Sequence, residues 1–194
     1  RASLARLGSS SLGAVLVHFP GTIDSVQSPG KNKKLRAETW RALEDLKKEG
    51  KIRYIGVSNY VRRHLKELLS TCEIRPDIAE MELHPYFQQR ELVALCKENG
   101  IQVVGFSPFA HGELGVLEDR RIAKIALKHT RTPPQVILKW LLQEGLVPVV
   151  KASSAARMAE NFNLQGFELD QDDMAAMRLL DSSKRVGFDP NQIA

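Results

Sequence analysis

The order of strand-like and helix-like segments is the feature that most constrains how this chain can fold. Five short runs are rich in branched apolar residues and bounded by turn signals, which is typical of buried β-strands. They cover residues 13–18, 52–57, 77–83, 101–106 and 146–150. Elsewhere, apolar residues recur at intervals of three and four, as in amphipathic helices. These segments cover residues 37–50, 62–70, 89–100, 119–130, 133–145, 154–161 and 171–181.

This alternation predicts an α/β fold with a parallel sheet and right-handed crossovers. Gly50, Gly100 and Gly145 follow helical patterns at the position where a left-handed C-terminal cap belongs. Pro133 and Pro134 suit a first helical turn, because the amide hydrogen that proline lacks would have no partner there. We therefore expect each helix to end sharply and return the chain to the sheet.

Composition excludes several classes of protein. The chain has 194 residues, 43% of them hydrophobic and 26% charged, as in an ordinary globular domain. No apolar run reaches the roughly 20 residues that span a bilayer, and no leader is recognisable, so we expect a cytoplasmic protein without a membrane partner. Cys72 and Cys96 lack a paired spacing, which predicts free thiols, no disulfide and no metal site.

The net charge of +5 is moderate, and its densest patch is KNKK at residues 31–34. We interpret this patch as a solvated loop. No aromatic interleaving or known reading motif accompanies it, so we expect no nucleic-acid partner.

Polar, aromatic and cationic residues gather where the predicted strands end. In parallel sheets and barrels, ligands bind at the carboxyl ends of the strands. The residues found there are His18, Phe19, Ser58, Asn59, Glu80, Glu82, His84, Phe106, Ser107, Lys151, Ser153, Ser154 and Arg157. The last four stand at a helix start and would suit a phosphate. Neither the glycine-rich dinucleotide fingerprint nor the GxxxxGK phosphate loop is present.

Each of these residues also has a purely structural interpretation. His18 alone is typical of a core or edge histidine, and Ser58 and Ser154 could simply be helix N-caps. Lys151 and Arg157 could be ordinary surface charges. The site hypothesis therefore depends on the whole set and not on any single member.

Several segments, in order along the chain, resemble the aldo-keto reductase family: LVHFP, GKIRYIGVSNY, ELHPYFQQ, FSPFAHG and VVKASSAARMAENF. The resemblance covers nearly the whole chain. It implies a partial TIM (β/α)8 barrel with strands 4 to 8 and their helices, in a single domain over residues 1–194. The opening RASLARLG reads as the last turns of a helix that Gly8 ends. We therefore expect a chain truncated at its N-terminus, without the first three βα units.

The resemblance implies an NADP(H)-dependent oxidoreductase that reduces aldehydes or ketones to alcohols by hydride transfer. His18 would be the catalytic histidine that orients the substrate carbonyl, and Phe19 would lie in the substrate wall. Ser58 and Asn59 would hydrogen-bond the nicotinamide carboxamide of NADPH or NADP+. The family glutamine of the third contact is Glu80 here, which can accept a hydrogen bond but cannot donate one.

The resemblance also assigns the rest of the cofactor site. Phe106 would stack on the nicotinamide ring, and Ser107 and Phe109 would line the pyrophosphate. The contacts implied around the 2′-phosphate and the adenine are Lys151, Ser153, Ser154, Arg157, Glu160 and Asn161. Ala152 stands where the family has a serine, which removes one hydroxyl donor. The two cations still favour NADP over NAD.

The resemblance leaves a gap in the catalytic site. The family's aspartate, its general-acid tyrosine and its lysine lie on the first three βα units, and Tyr54, Tyr60 and Tyr86 occupy other motif positions. We therefore expect the full-length protein to be a monomeric enzyme, but the 194-residue chain to be inactive and prone to association through exposed strand edges. Two alternatives remain: a non-catalytic or regulatory NADPH-binding protein, and a phosphate-handling isomerase or lyase barrel.

Overall fold

A computed structural model describes residues 2–22 and 27–194 of the chain. The fold divides into two units. The first comprises Arg1–Met81, Glu91–Gln102 and Asp189–Ala194, and the second comprises Glu82–Arg90 and Val103–Phe188. Both units contain strands as well as helices, as the α/β prediction requires.

The first unit is built on parallel strands. In order across the sheet, they are β1 (Leu12–Val17), β2 (Ile52–Ser58) and β3 (Ile78–Glu82). At Gly56 two strands approach so closely that a Cβ atom would lie 2.5 Å from the backbone oxygen of Ile78, which explains the glycine. The register pairs Ser58 with Glu80. Because the strands are parallel, their carboxyl ends share one edge of the sheet.

Four helices flank these strands. They are α1 (Ala2–Leu7), α2 (Pro29–Lys48), α3 (Arg62–Thr71) and α4 (Arg90–Glu98). α2 buries Trp40 and Leu43, and α3 buries Leu65 and Leu68. Each such side chain stabilises the fold by about 1.5–3 kcal/mol relative to an exposed one.

The second unit contains β4 (Gln102–Phe106) and β5 (Val147–Val149), which pair in parallel with Phe106 opposite Val149. Its helices are α5 (Arg120–Lys128), α6 (Pro133–Gln143), α7 (Ala155–Phe162) and α8 (Gln171–Arg178). α6 carries much of the core, since Ile137, Leu138 and Leu141 are almost fully buried. By contrast, no residue of α7, all of which the structure describes, is buried.

The structure confirms most of the expected segments. All five strands are present, with ends that differ from the prediction by at most one residue. Gly50, Gly100 and Gly145 have φ values of +69°, +69° and +74°, as the cap prediction requires. Cys72 and Cys96 are free, and burial raises the pKa of Cys96 to about 12.

The start of α2 is the exception. The helix begins at Pro29 and not at residue 37, so the interpretation of KNKK as a solvated loop is wrong. Long-range contacts hold these early turns. Asn32 is fully buried and its Nδ2 donates to the backbone oxygen of Ala194 at 3.1 Å. Arg36 pairs with Glu67 at 2.8 Å and donates to the backbone oxygen of Pro20 at 2.9 Å.

Within residues 2–22 and 27–194, no helix is both long enough and apolar enough to cross a membrane.

Candidate functional site

The predicted carboxamide-binding residues form a hydrogen-bonded cluster at the strand ends of the first unit. Ser58 Oγ donates to Glu80 Oε2 at 2.8 Å. Asn59 Nδ2 donates to the backbone oxygen of His18 at 2.9 Å and to Ser58 Oγ at 3.1 Å. One chain of hydrogen bonds therefore connects β1, β2 and β3.

The backbone conformation of Asn59 places its side chain between the carboxyl ends of β1 and β2. Its φ is +60°, in the left-handed region that asparagine tolerates better than most residues. Its backbone N–H donates to the backbone oxygen of Glu80 at 3.0 Å. Ser58 is not a helix cap, because the N-cap of α3 is Val61. The structural interpretation of Ser58 as an N-cap is therefore wrong.

Donor and acceptor roles in the cluster follow from chemistry. A carboxylate only accepts, so Ser58 must give its single hydroxyl hydrogen to Glu80. Ser58 Oγ is then left to accept from Asn59. Glu80 is half-buried, and a carboxylate oxygen there can accept a hydrogen bond from an amide N–H₂ group.

His18 and Phe19 lie next to this cluster on the chain. The two rings pack with their centroids 4.6 Å apart at an angle of 54°. The His18 side chain is exposed, so the core interpretation of this histidine is wrong. Only its backbone oxygen takes part in the cluster, and the imidazole can meet a ligand.

A cavity of about 810 Å³ occupies the second unit. This volume lies within the range of small-molecule and cofactor sites. Seven of the predicted cofactor residues line it: Phe106, Ser107, Phe109, Lys151, Arg157, Glu160 and Asn161. The strand pairing that sets Phe106 opposite Val149 places both residues in its wall.

The remaining two phosphate candidates lie outside the cavity lining. Ser154 Oγ accepts from the backbone N–H of Arg157 at 3.3 Å and caps α7, as its structural interpretation predicts. Ser153 is exposed. Lys151 and Arg157 are also exposed, but both belong to the lining.

Among the residues that line this cavity, His111 is the polar side chain that the sequence did not predict. Its Nε2 lies 2.7 Å from Ser107 Oγ. The signal was available, because His111 belongs to the FSPFAHG segment and stands four residues after the expected phosphate-lining serine.

Two other candidates at the end of β3 have structural roles. Glu82 and His84 are almost fully buried, with His84 Nε2 at 3.1 Å from Glu82 Oε1. Glu82 also accepts from the backbone N–H groups of Val186 (2.7 Å) and Gly187 (3.0 Å). Burial by itself raises the pKa of Glu82, but these hydrogen bonds outweigh it, so the pKa lies below its usual value. The pair therefore fixes the segment at residues 186–187.

The three tyrosines of the chain belong neither to the cluster of Ser58, Asn59 and Glu80 nor to the lining of the cavity. The ring of Tyr54 lies 5.2 Å from the Arg53 guanidinium. Tyr60 is buried, which raises its pKa. The Tyr86 hydroxyl donates to Asp119 Oδ2 at 2.7 Å, and burial together with this bond raises its pKa.

The part of the chain that the structure describes contains no cluster of three or more His, Cys, Asp or Glu side chains that could hold a metal ion.

The model of the Aldo/keto reductase family matches residues 1–182. The glyoxal reductase of Bacillus subtilis (strain 168) is 41% identical over 191 residues, 98% of this chain and 64% of the relative. The 9,11-endoperoxide prostaglandin H2 reductase of Trypanosoma cruzi (strain CL Brener) is 40% identical over 186 residues, 95% of this chain and 62% of the relative.

Among solved structures, a variant of Gox0644 in complex with NADPH is similar with a TM-score of 0.86 and 39% identity, covering 98% of this chain and 66% of that protein. The chain shares a TIM-barrel-like α/β fold with these solved structures. The chain spans less than two thirds of the length of the two curated relatives.

Proposed function

The chain belongs to the aldo/keto reductase family, and from this we propose that it is part of an NADP(H)-dependent oxidoreductase that reduces aldehydes or ketones to alcohols. Its strands β1 to β5 would correspond to strands 4 to 8 of a (β/α)8 barrel domain. The observation that carries the proposal is the cavity of the second unit, whose lining combines the Phe106 ring with the cations of Lys151 and Arg157.

The chemistry of this lining fits a phosphorylated dinucleotide. An aromatic face such as Phe106 can stack on a planar ring. Lys151 and Arg157 supply charge for a 2′-phosphate, and arginine can bind it through two parallel hydrogen bonds. Glu160 and Asn161 add acceptor and donor groups for an adenine. Ser107 and Phe109 line the stretch assigned to the pyrophosphate.

The cluster of the first unit would hold the nicotinamide carboxamide. The carboxylate of Glu80 accepts from its N–H₂ group, and Ser58 and Asn59 complete the contact. Since Asn59 Nδ2 is already engaged with His18 and Ser58, its Oδ1 is the atom we assign to the ligand.

Bound NADPH would supply the hydride that reduces the carbonyl carbon. The exposed imidazole of His18 would donate from Nε2 to the carbonyl oxygen, orienting it and stabilising the charge that develops there. Phe19 would support the substrate through its packed ring. The glyoxal reductase among the relatives favours a small carbonyl compound as substrate.

A non-catalytic, NADPH-binding role is the second candidate for the 194-residue chain alone. It is favoured by the three tyrosines, since Tyr60 is buried and Tyr86 is bonded to Asp119. Tyr54 lies four residues before Ser58 on β2, about 13 Å along the strand. No tyrosine is left to protonate the carbonyl oxygen, so we propose that this chain binds the cofactor without turning over substrate.

Cofactor binding can be tested by fluorescence titration of the purified chain with NADPH and with NADH. We expect Arg157→Gln to weaken NADPH binding about tenfold, because one charge-assisted contact to the 2′-phosphate is lost, and to leave NADH binding nearly unchanged. Arg120→Gln, an exposed cation of α5 outside the cavity lining, is the matched control. Equal losses for both dinucleotides would contradict the assignment.

The same preparation distinguishes the two candidates. Consumption of NADPH in the presence of glyoxal would show that residues 1–194 suffice for catalysis. Binding without consumption would support the non-catalytic role of this chain. Absence of NADPH binding would overturn both.

A further inference from the structure

The loop after β4 places a histidine in the wall of the proposed cofactor cavity. His111 lies in the short 3-10 turn Ala110–Gly112, and its Nε2 is 2.7 Å from the Oγ of Ser107. Both side chains line the cavity. The imidazole is exposed, so it can exchange protons with solvent and also meet a ligand.

The backbone of this loop is held in an uncommon conformation. Ser107, Ala110 and His111 have φ values of +54°, +48° and +57°. Residues other than glycine adopt this left-handed region at a cost in free energy, so the conformation persists only where the surrounding fold enforces it. Such residues are concentrated at ligand sites. The fold therefore fixes the position of His111 relative to Ser107.

The hydrogen bond between these two side chains depends on the protonation of the ring. A neutral imidazole can accept the Ser107 hydroxyl hydrogen at Nε2, which leaves that hydroxyl without a hydrogen for a ligand. An imidazolium carries a hydrogen on both nitrogens, so Nε2 can only donate. Ser107 Oγ then accepts, and its hydrogen is free to point toward an anion. One proton thus adds a positive charge and also supplies a second donor.

The other charged groups of the cavity decide what this change would favour. Lys151, Arg157 and Glu160 are the remaining titratable residues of its described lining. Glu160 offsets one of the two permanent cations, which leaves a single positive charge when His111 is neutral. Protonation of His111 would double it. Histidine is the side chain that ordinarily changes charge between about pH 5 and pH 8.

We propose that His111 is a phosphate-binding residue whose protonation tightens the binding of NADP(H) and reverses its hydrogen bond with Ser107. The inference rests on the proposed function, which assigns Ser107 to the pyrophosphate. It extends that function by making cofactor affinity depend on pH.

The test is a calorimetric titration of the full chain with NADP+ from about pH 5.5 to about pH 8.5. The 2′-phosphate of the ligand itself titrates near pH 6, so each comparison is the ratio of two proteins at the same pH. His111→Gln can still hydrogen-bond Ser107 but carries no charge. His111→Lys is charged over the whole range. Thermal melts check that both variants are folded.

We expect the affinity of the parent relative to His111→Gln to fall about fivefold as the pH rises, the size of one exposed ion pair. His111→Lys should keep the tighter affinity at high pH. Identical pH dependence of the parent and His111→Gln would overturn the inference and leave the cofactor site intact. Absence of NADP+ binding at every pH would overturn the proposed function as well.

A second measurement does not depend on comparing affinities between variants. If protonation of the ring tightens NADP+ binding, NADP+ must favour protonation of the ring by the same factor. The NMR signal of the His111 ring, assigned by its loss in His111→Gln, should therefore titrate at higher pH when NADP+ is present. An unchanged midpoint at saturating NADP+ would contradict the proposal.

Discussion

The carboxylate of Glu80 determines which donors and acceptors the cluster of Ser58, Asn59 and Glu80 offers to a ligand. The carboxylate takes the only hydroxyl hydrogen of Ser58, at 2.8 Å, and Ser58 in turn accepts from Asn59. A glutamine at position 80 could take the same hydrogen at its amide oxygen and would still have two N–H donors to offer. The cluster as it stands is therefore rich in acceptors and carries a negative charge.

We expect Glu80→Gln to strengthen NADPH binding about threefold to fivefold. The change removes a negative charge from the site of an anionic ligand and adds a donor for the carboxamide oxygen, a contact of about 1 kcal/mol. Fluorescence titration measures the effect. Glu38→Gln, which alters an exposed glutamate of α2, should leave the affinity unchanged. Weaker binding in Glu80→Gln would show that the carboxylate is the better partner for the ligand.

Residue identities could be predicted from the sequence more readily than their contacts. Ser58 and Asn59 follow a run of buried strand residues, which is a local signal. Which group donates to which depends on Glu80 and His18, which belong to other strands. The position of His111 in the FSPFAHG segment could have been noted, but its contact with Ser107 could not be predicted. The contact depends on left-handed backbone conformations at both positions, and neither residue is a glycine.

At the scale of elements, α2 and α3 are held together with the segment at residues 191–194. Arg63 donates to the backbone oxygens of Asn191 (2.9 Å) and Ile193 (2.6 Å). His64, almost fully buried in α3, has its Nε2 at 3.0 Å from the backbone oxygen of Ile193. Burial, and then the charges of Arg36 and Arg63, lower the pKa of His64 to about 4.

This pKa predicts how stability depends on pH. His64 is neutral in the folded protein, and its pKa lies below the ordinary value near 6.5. Its contribution is therefore complete above about pH 6.5 and is lost as the pH falls toward about 4, by roughly 2–3 kcal/mol. Nδ1 has no hydrogen-bond partner among residues 2–22 and 27–194, so a second ring proton would have no acceptor there.

The measurement is the free energy of unfolding of the parent and of His64→Phe at several pH values. At pH 7 we expect the variant to be less stable by about 1 kcal/mol, because the bond to Ile193 is lost. The difference should shrink as the pH falls, reverse at about pH 6, and favour the variant by about 1–2 kcal/mol near pH 4. His111→Gln, at an exposed histidine, should follow the parent throughout. A constant difference between the parent and His64→Phe would contradict the lowered pKa.

These long-range contacts also explain which element boundaries the sequence could reveal. Gly50, Gly100 and Gly145 end helices through their own backbone freedom, so the C-terminal ends were predictable. The first turns of α2 contain Gly30 and Asn32, both poor helix formers. They are helical in a fold where Asn32 contacts Ala194, 162 residues away, which no local pattern reports.

Edge strands decide how the whole protein is expected to behave in solution. β1 and β5 each pair with a single neighbouring strand in the part of the chain that the structure describes. Val147 and Val149 of β5 are 44% and 49% exposed. An apolar edge strand with free N–H and C=O groups is a template for pairing with another chain. We therefore expect the 194-residue protein to associate in solution.

Analytical ultracentrifugation over a range of concentrations tests this expectation. Val147→Lys should reduce the associated fraction at least severalfold, because a lysine on an edge strand disfavours pairing with a second strand through its charge. Leu127→Lys is the matched control, since Leu127 is 82% exposed but lies on helix α5, where the backbone groups are already paired. If both substitutions dissociate the protein equally, general apolar contact drives association. If the parent is monomeric at all concentrations, the edge strands do not pair with a second chain and the prediction is wrong.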